Sequence, residues 1–392
     1  MKRVVVGLSG GVDSSVSAYL LKEQGYEVIG MFMRNWHDES VTLSDECPWI
    51  DDSNDALLIA NQLNIPFQII DLSAEYKDKI VDYMFAEYQA GRTPNPDVLC
   101  NREIKFDVFL KAAQKLGAEY VATGHYCRKI EKEDGTVGLL TGKDNNKDQS
   151  YFLCQLNQNQ LAKALFPIGE LEKSKVREIA SEQGLITADK KDSQGLCFVG
   201  KISLPIFLQQ KLEAKKGKVI EIPNNLPALV SYHAIEANID NVEQLVVPFQ
   251  FNNSDGIVVA EHQGAHFYTI GQRKGLQIGG RPEPSFVVQL DVDNNLVYSG
   301  QNENHLALNR KALYIKPEDF HVVSPNFQLK LNIPREVLLK IRYRQALQKG
   351  TLIKKETGYY VLFDTLMKGI TPGQFAAFYL EDELVASGVI MQ

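Results

Sequence analysis

Two rhythms of apolar positions alternate along the first third of the chain. Runs of consecutive apolar residues at Arg3 to Leu8, Glu27 to Met33, Phe67 to Leu72 and Tyr120 to Thr123 read as buried strands. Between them, apolar residues recur at helical spacing over Val12 to Gln24, Ser53 to Leu63, Ala74 to Tyr88 and Asn101 to Leu116. Gly25 and Gly117 close the first and last of these helices, and Ser53 is the predicted cap of the second. Strands separated by helices of this length predict βαβ units: a parallel sheet with helices on both faces. Right-handed crossovers then gather the loops after the strands along one edge, where such sheets bind ligands.

Past about Gly200 the rhythm changes. Residues 205–265 mix short apolar runs with Asn, Pro and Gly. From Phe286 onward the pattern is short strands at close spacing. They run over Phe286 to Leu290, then Leu296 to Tyr298 after an Asp293-Asn294-Asn295 turn. Val337 to Tyr343, Gly358 to Phe363, Gln374 to Tyr379 and Glu383 to Ile390 follow. This predicts a small antiparallel barrel or sandwich. The expected organisation is a first domain over 1–204, a central one over 205–300 and a third over 301–392.

Composition sets bounds on this picture. Hydrophobic residues make up 44% and charged residues 23% of 392, ordinary globular usage that excludes a disordered, collagenous or coiled-coil chain. The formal charge of −7 excludes a globally basic nucleic-acid binder but leaves room for a local basic surface. No apolar run approaches the length of a membrane span, and the N-terminus lacks a signal-peptide core. The five cysteines form no C-x-x-C, which argues against both a disulfide scaffold and a spaced zinc site. The expected compartment is the reducing cytosol.

Candidate chemistry begins at Ser9-Gly10-Gly11-Val12-Asp13-Ser14-Ser15, directly after a strand and opening a helix. Glycines let the backbone approach phosphate oxygens, and the amides of a helix start favour an anion. The string lacks the Gly-Lys-Ser/Thr of a Walker A element and is not G-x-G-x-x-G. Two cysteines lie in distinctive segments. In Thr93-Pro94-Asn95-Pro96-Asp97-Val98-Leu99-Cys100-Asn101-Arg102 the prolines impose an extended approach. Cys100 is expected at or just before a helix start, where the dipole lowers a thiol pKa. Cys197 sits in Asp192-Ser193-Gln194-Gly195-Leu196-Cys197-Phe198-Val199-Gly200, between glycines and beside Phe198, on a loop the chain can bend. Cys127 and Cys154 read as small buried residues. Asp97 is either a general acid/base or a first-turn or capping acid.

The loop resembles the pyrophosphate loop of the adenylating PP-loop ATPases. With Ala122-Thr123-Gly124-His125-Tyr126 and Lys147-Asp148-Gln149-Ser150-Tyr151, the chain is similar to the bacterial tRNA-specific 2-thiouridylases. The likeness continues through Glu261-His262-Gln263-Gly264, Thr269-Ile270-Gly271-Gln272-Arg273-Lys274, Ile341-Arg342-Tyr343-Arg344 and Thr371-Pro372-Gly373-Gln374. It implies an α/β PP-loop domain, a small central domain and a C-terminal β-barrel that contacts tRNA. It implies ATP, with Mg²⁺, held by Gly7, Leu8, Ser9, Gly10, Gly11, Val12, Asp13 and Ser14. Met33 would lie beside the adenine, and Gly124 would allow close backbone approach. Asn95, Pro96 and Asp97 would face the target base. His125, Lys147, Asp148, Gln149, Arg342, Tyr343 and Gln374 would contact tRNA. Cys100 would act as nucleophile and Cys197 as persulfide carrier, charged by a sulfur-relay protein or cysteine desulfurase. Both routes that close the cycle, a Cys100–Cys197 disulfide or release of hydrosulfide, need the two thiols to meet.

The sequence departs from that family in two places. Gly200-Lys201-Ile202-Ser203-Leu204 puts a lysine where relatives carry an acid, and residues 223–256 read as an insertion that serves packing or a partner. Two competing readings are another PP-loop enzyme that uses ammonia, with no need of two cysteines, and a catalytically silent tRNA-binding protein.

Overall fold

A computed structural model gives the architecture; residues 1–35, 48–191 and 204–391 are described, without the side chains of Pro48, Pro205 and Ile206. Cys47, Trp36, Cys197 and residues 200–203 therefore lie outside the described residues.

The first sheet is parallel and five-stranded, in the order β3-β2-β1-β4-β7. It comprises β1 Arg3–Gly7, β2 Glu27–Arg34, β3 Phe67–Asp71, β4 Tyr120–Ala122 and β7 Ala164–Leu165. β1 pairs with β2 on one side and β4 on the other, so the winding reverses at β1. Crevices open at the carboxyl ends of strands at such a reversal. Val4, Val6 and Phe32 pack into one core with α1 (Val12–Glu23) and α2 (Pro48–Gln62). Val5, Met31 and Met33 pack into the other, with the helical segments 73–89 and 96–115. Alternate residues of each strand thus face opposite helical layers.

Two helix starts differ from expectation. Ser53 does not cap α2; the helix begins at Pro48, and the Ser53 hydroxyl donates back to the Ile50 carbonyl. Proline at a helix start has no amide to satisfy and a φ already set for the helix. The helix expected from Asn101 begins at Pro96 instead, with Asn95 as its cap, its side chain accepting from the Val98 amide. From Cys100 to Val108 the chain winds as a π-helix before the α-helix Phe109–Lys115. Gly117, at φ +76, then turns the chain.

The C-terminal strands are β12 Asn309–Val322, β13 Arg335–Lys340, β14 Gln348–Lys355, β15 Gly358–Lys368, β16 Phe375–Leu380 and β17 Glu383–Ile390. They run in the order β12-β15-β14-β13-β16-β17, and β17 pairs back onto β12, closing an antiparallel barrel. The expected strand Val337 to Tyr343 stops at Lys340, which leaves Arg342 and Tyr343 in the turn that follows. A hairpin that follows the parallel strand β4, β5 Cys127–Glu131 and β6 Val137–Thr141, extends this sheet through Leu140 opposite Glu383. The α/β unit and the barrel thus share one sheet.

Between them, β8 Gly217–Glu221, β9 Ile257–His262, β10 Ser285–Asp291 and β11 Leu296–Gln301 form a sheet of order β10-β11-β8-β9. The 223–256 segment contributes the helices Pro227–Ala234 and Val242–Leu245. Tyr232, Val242 and Leu245 pack against Ala312, Ile353 and Tyr360 of the barrel. Lys311 donates to the carbonyl of His233, and Arg310 lies over the rings of Tyr232 and Phe249. This segment is therefore a packing element tying the centre to the barrel. Among the described residues no helix is long and apolar enough to cross a membrane.

Candidate active site

The glycine-rich loop leaves β1 at the winding reversal. Gly10 adopts φ +71, and a Cβ there would stand 2.3 Å from the Asp52 carbonyl oxygen of α2, so no side chain fits. Gly11 takes the cap position of α1 without a side-chain cap among the described residues. First-turn amides of that helix are thus left for an external acceptor. The loop is braced from within: the Ser9 amide donates to Ser14 Oγ, and the Ser14 and Ser15 hydroxyls donate to the Gly11 carbonyl. Thr187 donates to Ser15 Oγ from the far side. Leu8, Val12 and Ser14 are buried, whereas Ser9 is exposed at the rim.

Around this loop the other nucleotide candidates converge. A Cβ on Gly7 would lie 3.2 Å from Met33 Cε, so Met33 flanks the end of β1. A Cβ on Gly124 would fall 2.8 Å from the Asp13 carbonyl carbon and 2.9 Å from the Ser14 nitrogen. The close approach at Gly124 is therefore to the loop backbone itself. Gly124→Ala is expected to push the first turn of α1 aside and weaken the ATP binding that the resemblance implies about tenfold, roughly 1.4 kcal/mol, as calorimetric titration would read. Asp13 accepts from Tyr126 Oη (2.7 Å) and from Lys173 Nζ (2.7 and 2.8 Å). Neither partner is apparent from sequence. Lys173 carries one faint signal, a cation in a first helical turn, against the preference of the helix dipole.

Cys100 is wholly buried, one turn inside the helix rather than at its start. Its neighbours explain the position. Asn95 caps the helix, Pro96 fills the first helical position and is buried, and half-buried Asp97 is the first-turn acid. The π-winding begins at Cys100 itself, a geometry that recurs at functional sites. Cys127 and Cys154 are also fully buried. Burial pushes the Cys127 thiol well above its ordinary range and that of Cys154 up to about 12, so both stay protonated.

The segment leading to Cys100 is bound to the barrel and the central unit. Thr93 donates its amide to the Pro372 carbonyl, and its hydroxyl meets that of Thr269 at 3.1 Å. Gln374 Nε2 donates to the carbonyls of Thr93 and Pro94, while its Oε1 accepts from Asn95 Nδ2. Arg342 donates to the carbonyls of Gly369 and Ile270 and to Thr371 Oγ1. Asn101 donates to the Phe152 carbonyl, and the Phe152 ring packs on Tyr343 with centroids 4.3 Å apart. The motifs around Asn95, Thr269, Arg342 and Gln374, remote in sequence, thus meet at one junction. Arg273, Lys274 and Arg344 stand exposed around it.

Four RNA candidates are held differently. Asp148 is buried, and its carboxylate accepts from the amides of Gly142 and Ser150, from Ser150 Oγ and from Lys340 Nζ (2.7 Å). Fully occupied in this way, it shapes the fold rather than facing a ligand. Gln149 Oε1 accepts from the Tyr126 amide, tying that turn to the strand end beside the loop. Half-exposed Lys147 lies at the turn's outer side. His125 is buried between Phe106 and Phe166 and shares a 2.7 Å hydrogen bond with Thr123 Oγ1. Burial, aided by the nearby Lys105 charge, holds its pKa well below 6.5. The unfolded chain binds a proton at this residue near pH 6.5 and the folded one does not, so stability falls as pH drops below that value. His125→Phe is expected to remove this share, up to about 1.4 kcal/mol per pH unit, from the pH dependence of urea midpoints between pH 7 and 5.

Known proteins bear on this constellation. A family model described as the tRNA methyl transferase HUP domain matches residues 2–201. A tRNA methyl transferase PRC-barrel domain matches 248–301, and an aminomethyltransferase beta-barrel domain matches 310–390. Full-length relatives carry a different activity in their name. The tRNA-specific 2-thiouridylase MnmA of Christiangramia forsetii is 60% identical over the whole of both chains, as is that of Flavobacterium johnsoniae. The enzyme of the same name from Karelsulcia muelleri is 45% identical, covering 99% of this chain and 98% of its own.

Proposed function

The chain belongs to the tRNA-specific 2-thiouridylase family, and from that premise we propose that it uses ATP to replace the 2-oxygen of the tRNA wobble uridine with sulfur. The observation that carries this is the uncapped start of α1 at the winding reversal, in a chain that matches its named relatives from end to end. The residues present fit a nucleoside triphosphate: glycines where a Cβ would collide, first-turn amides with no side-chain cap among the described residues, and hydroxyls turned inward to brace the loop.

ATP supplies an adenylyl group, and Mg²⁺ would offset the charge of the triphosphate held by the loop. The uracil 2-oxygen bonds to the α-phosphorus and pyrophosphate departs. Ser9 to Ser14 hold the phosphates, and Met33 flanks the adenine. Asn95, Pro96 and Asp97 border the extruded uracil, which must leave its stack to reach the phosphorus. The terminal sulfur of a Cys197 persulfide attacks carbon 2, and AMP leaves with the former uracil oxygen. Cys100 thiolate then attacks Cys197 Sγ, forming a disulfide and leaving the electron pair on the sulfur now bound to carbon 2. A thiol reductant reopens that disulfide. Release of hydrosulfide before the attack on carbon 2 is the alternative order. Exposed Arg273, Lys274 and Arg344, with half-exposed Lys147, supply positive charge for RNA phosphates around the junction. A sulfur-relay protein or cysteine desulfurase recharges Cys197, and the cytosol is the compartment that keeps these thiols usable.

The test is mass analysis of nucleosides from tRNA incubated with the protein, ATP and a sulfide source. 2-Thiouridine is expected, with AMP and pyrophosphate released in step. No thiolated uridine, or equal amounts after Cys100→Ser and Cys197→Ser, would overturn the reading.

A further inference from the structure

Asn35 follows β2 directly, at the carboxyl edge of the parallel sheet. Strand alternation puts it on the side of Met31 and Met33, which pack into the core that also holds Phe109 and Cys100. Met33 reaches the end of β1 at Gly7, where the phosphate loop begins. The Asn35 residue is 1% exposed. Among the described residues, neither its Nδ2 nor its Oδ1 has a hydrogen-bond partner. A buried primary amide with both ends unpaired is unusual, because native folds satisfy nearly all such groups. It weakens the folded state unless something that arrives later completes it.

We propose that Asn35 reads the adenine of ATP, its amide pairing with the base edge one pleat beyond Met33. An adenine edge offers an amine that donates and a ring nitrogen that accepts, the complement of one carbonyl and one NH₂. Asn35 would thereby set nucleotide specificity, whereas the loop holds phosphates common to every nucleoside triphosphate. The assignment rests on the reading of that loop as an ATP site. The unpaired amide is then a feature of the nucleotide-free protein alone.

Calorimetric titration of the full chain with ATP, and with purine riboside triphosphate, which lacks the 6-amine, tests this beside thermal unfolding without nucleotide. Wild type is expected to prefer ATP about tenfold, the worth of a buried hydrogen bond. Asn35→Leu is expected to bind ATP about ten- to thirtyfold more weakly and to show no preference. Without nucleotide, the same variant is expected to melt no lower than wild type, because an unpaired polar group has been removed. Asn35→Ala guards against misfit of the larger side chain and is expected to lose the same preference. Variants that keep wild-type affinity or preference overturn the assignment, as do variants that bind ATP normally but lose tRNA, which would place the amide at the target base. A wild type that binds neither nucleotide overturns the ATP site itself, and the assignment with it.

Discussion

Replacing Asp148 with alanine is expected to remove about 3–5 kcal/mol of folding stability, the effect of orphaning one member of a buried ion pair. Asp148 and Lys340 are both almost wholly enclosed, with side chains 8% and 7% exposed, and lie 2.7 Å apart. Lys340 Nζ also stands over the Tyr379 ring, whose hydroxyl meets Ser150 Oγ. Asp148→Ala therefore strands an ammonium inside the barrel wall and removes the acceptor of two amides. Lys340→Met is expected to cost less, since the carboxylate keeps the Gly142 and Ser150 donors. Urea unfolding with unchanged m-value would register both as shifts of midpoint. A folded Asp148→Ala protein of wild-type stability that binds tRNA poorly would mean that the residue faces RNA instead. The pair matters because it joins the Lys147–Gln149 turn to β13, across the seam where the α/β unit and the barrel share a sheet.

Most of the α/β unit was legible because its signals are local. Consecutive apolar runs and 3.6-residue periods name each strand and helix of the first 120 residues, and Gly25 and Gly117 end helices at positive φ as their positions suggest. Helix starts were less so. Ser53 is a good capping residue, yet Pro48 five positions earlier was the stronger start signal, and the Asn95-Pro96 pair is an equally plain cap. The hairpin β5–β6 shows alternation and an Asp134-Gly135 turn, but no local pattern announces a partner more than 240 residues away in β17. The π-winding from Cys100 to Val108 falls inside a segment whose apolar spacing reads as ordinary helix, so the sequence does not announce it.

The site divides along the same line. The glycine string announces its own geometry, because a positive φ and a collision with Asp52 are properties only glycine resolves. Side chains that complete the site from elsewhere, Lys173 and Thr187, carry no motif of their own, and the role of Tyr126 within its motif becomes visible only when the chain is folded. Asp148, Asn95, Gln374 and Arg342 show the converse. A motif can mark where domains meet, and hydrogen bonding then decides whether each side chain is turned inward or left for a ligand.

Lys173→Ala is expected to weaken ATP binding about 30- to 150-fold, roughly 2–3 kcal/mol, with a far smaller effect on unfolding. The loop has an electrostatic problem that Lys173 solves. Asp13 sits in the first turn of α1, where its carboxylate suits the helix dipole but would repel a phosphate bound to the same amides. Lys173 Nζ covers both carboxylate oxygens, and Tyr126 Oη donates to one of them. Lys173 is the more enclosed of the pair, 12% exposed against 31% for Asp13. In the alanine variant the carboxylate is left negative beside the phosphates. Asp13→Asn combined with Lys173→Met removes both charges and should recover part of the lost affinity, giving a coupling between the sites of about 0.5–3 kcal/mol. Raising salt should narrow the gap between wild type and Lys173→Ala, since the repulsion is partly screened. Were the pair merely a structural clamp, both single variants would lose stability equally and the double variant would restore it, with ATP affinity following stability rather than charge.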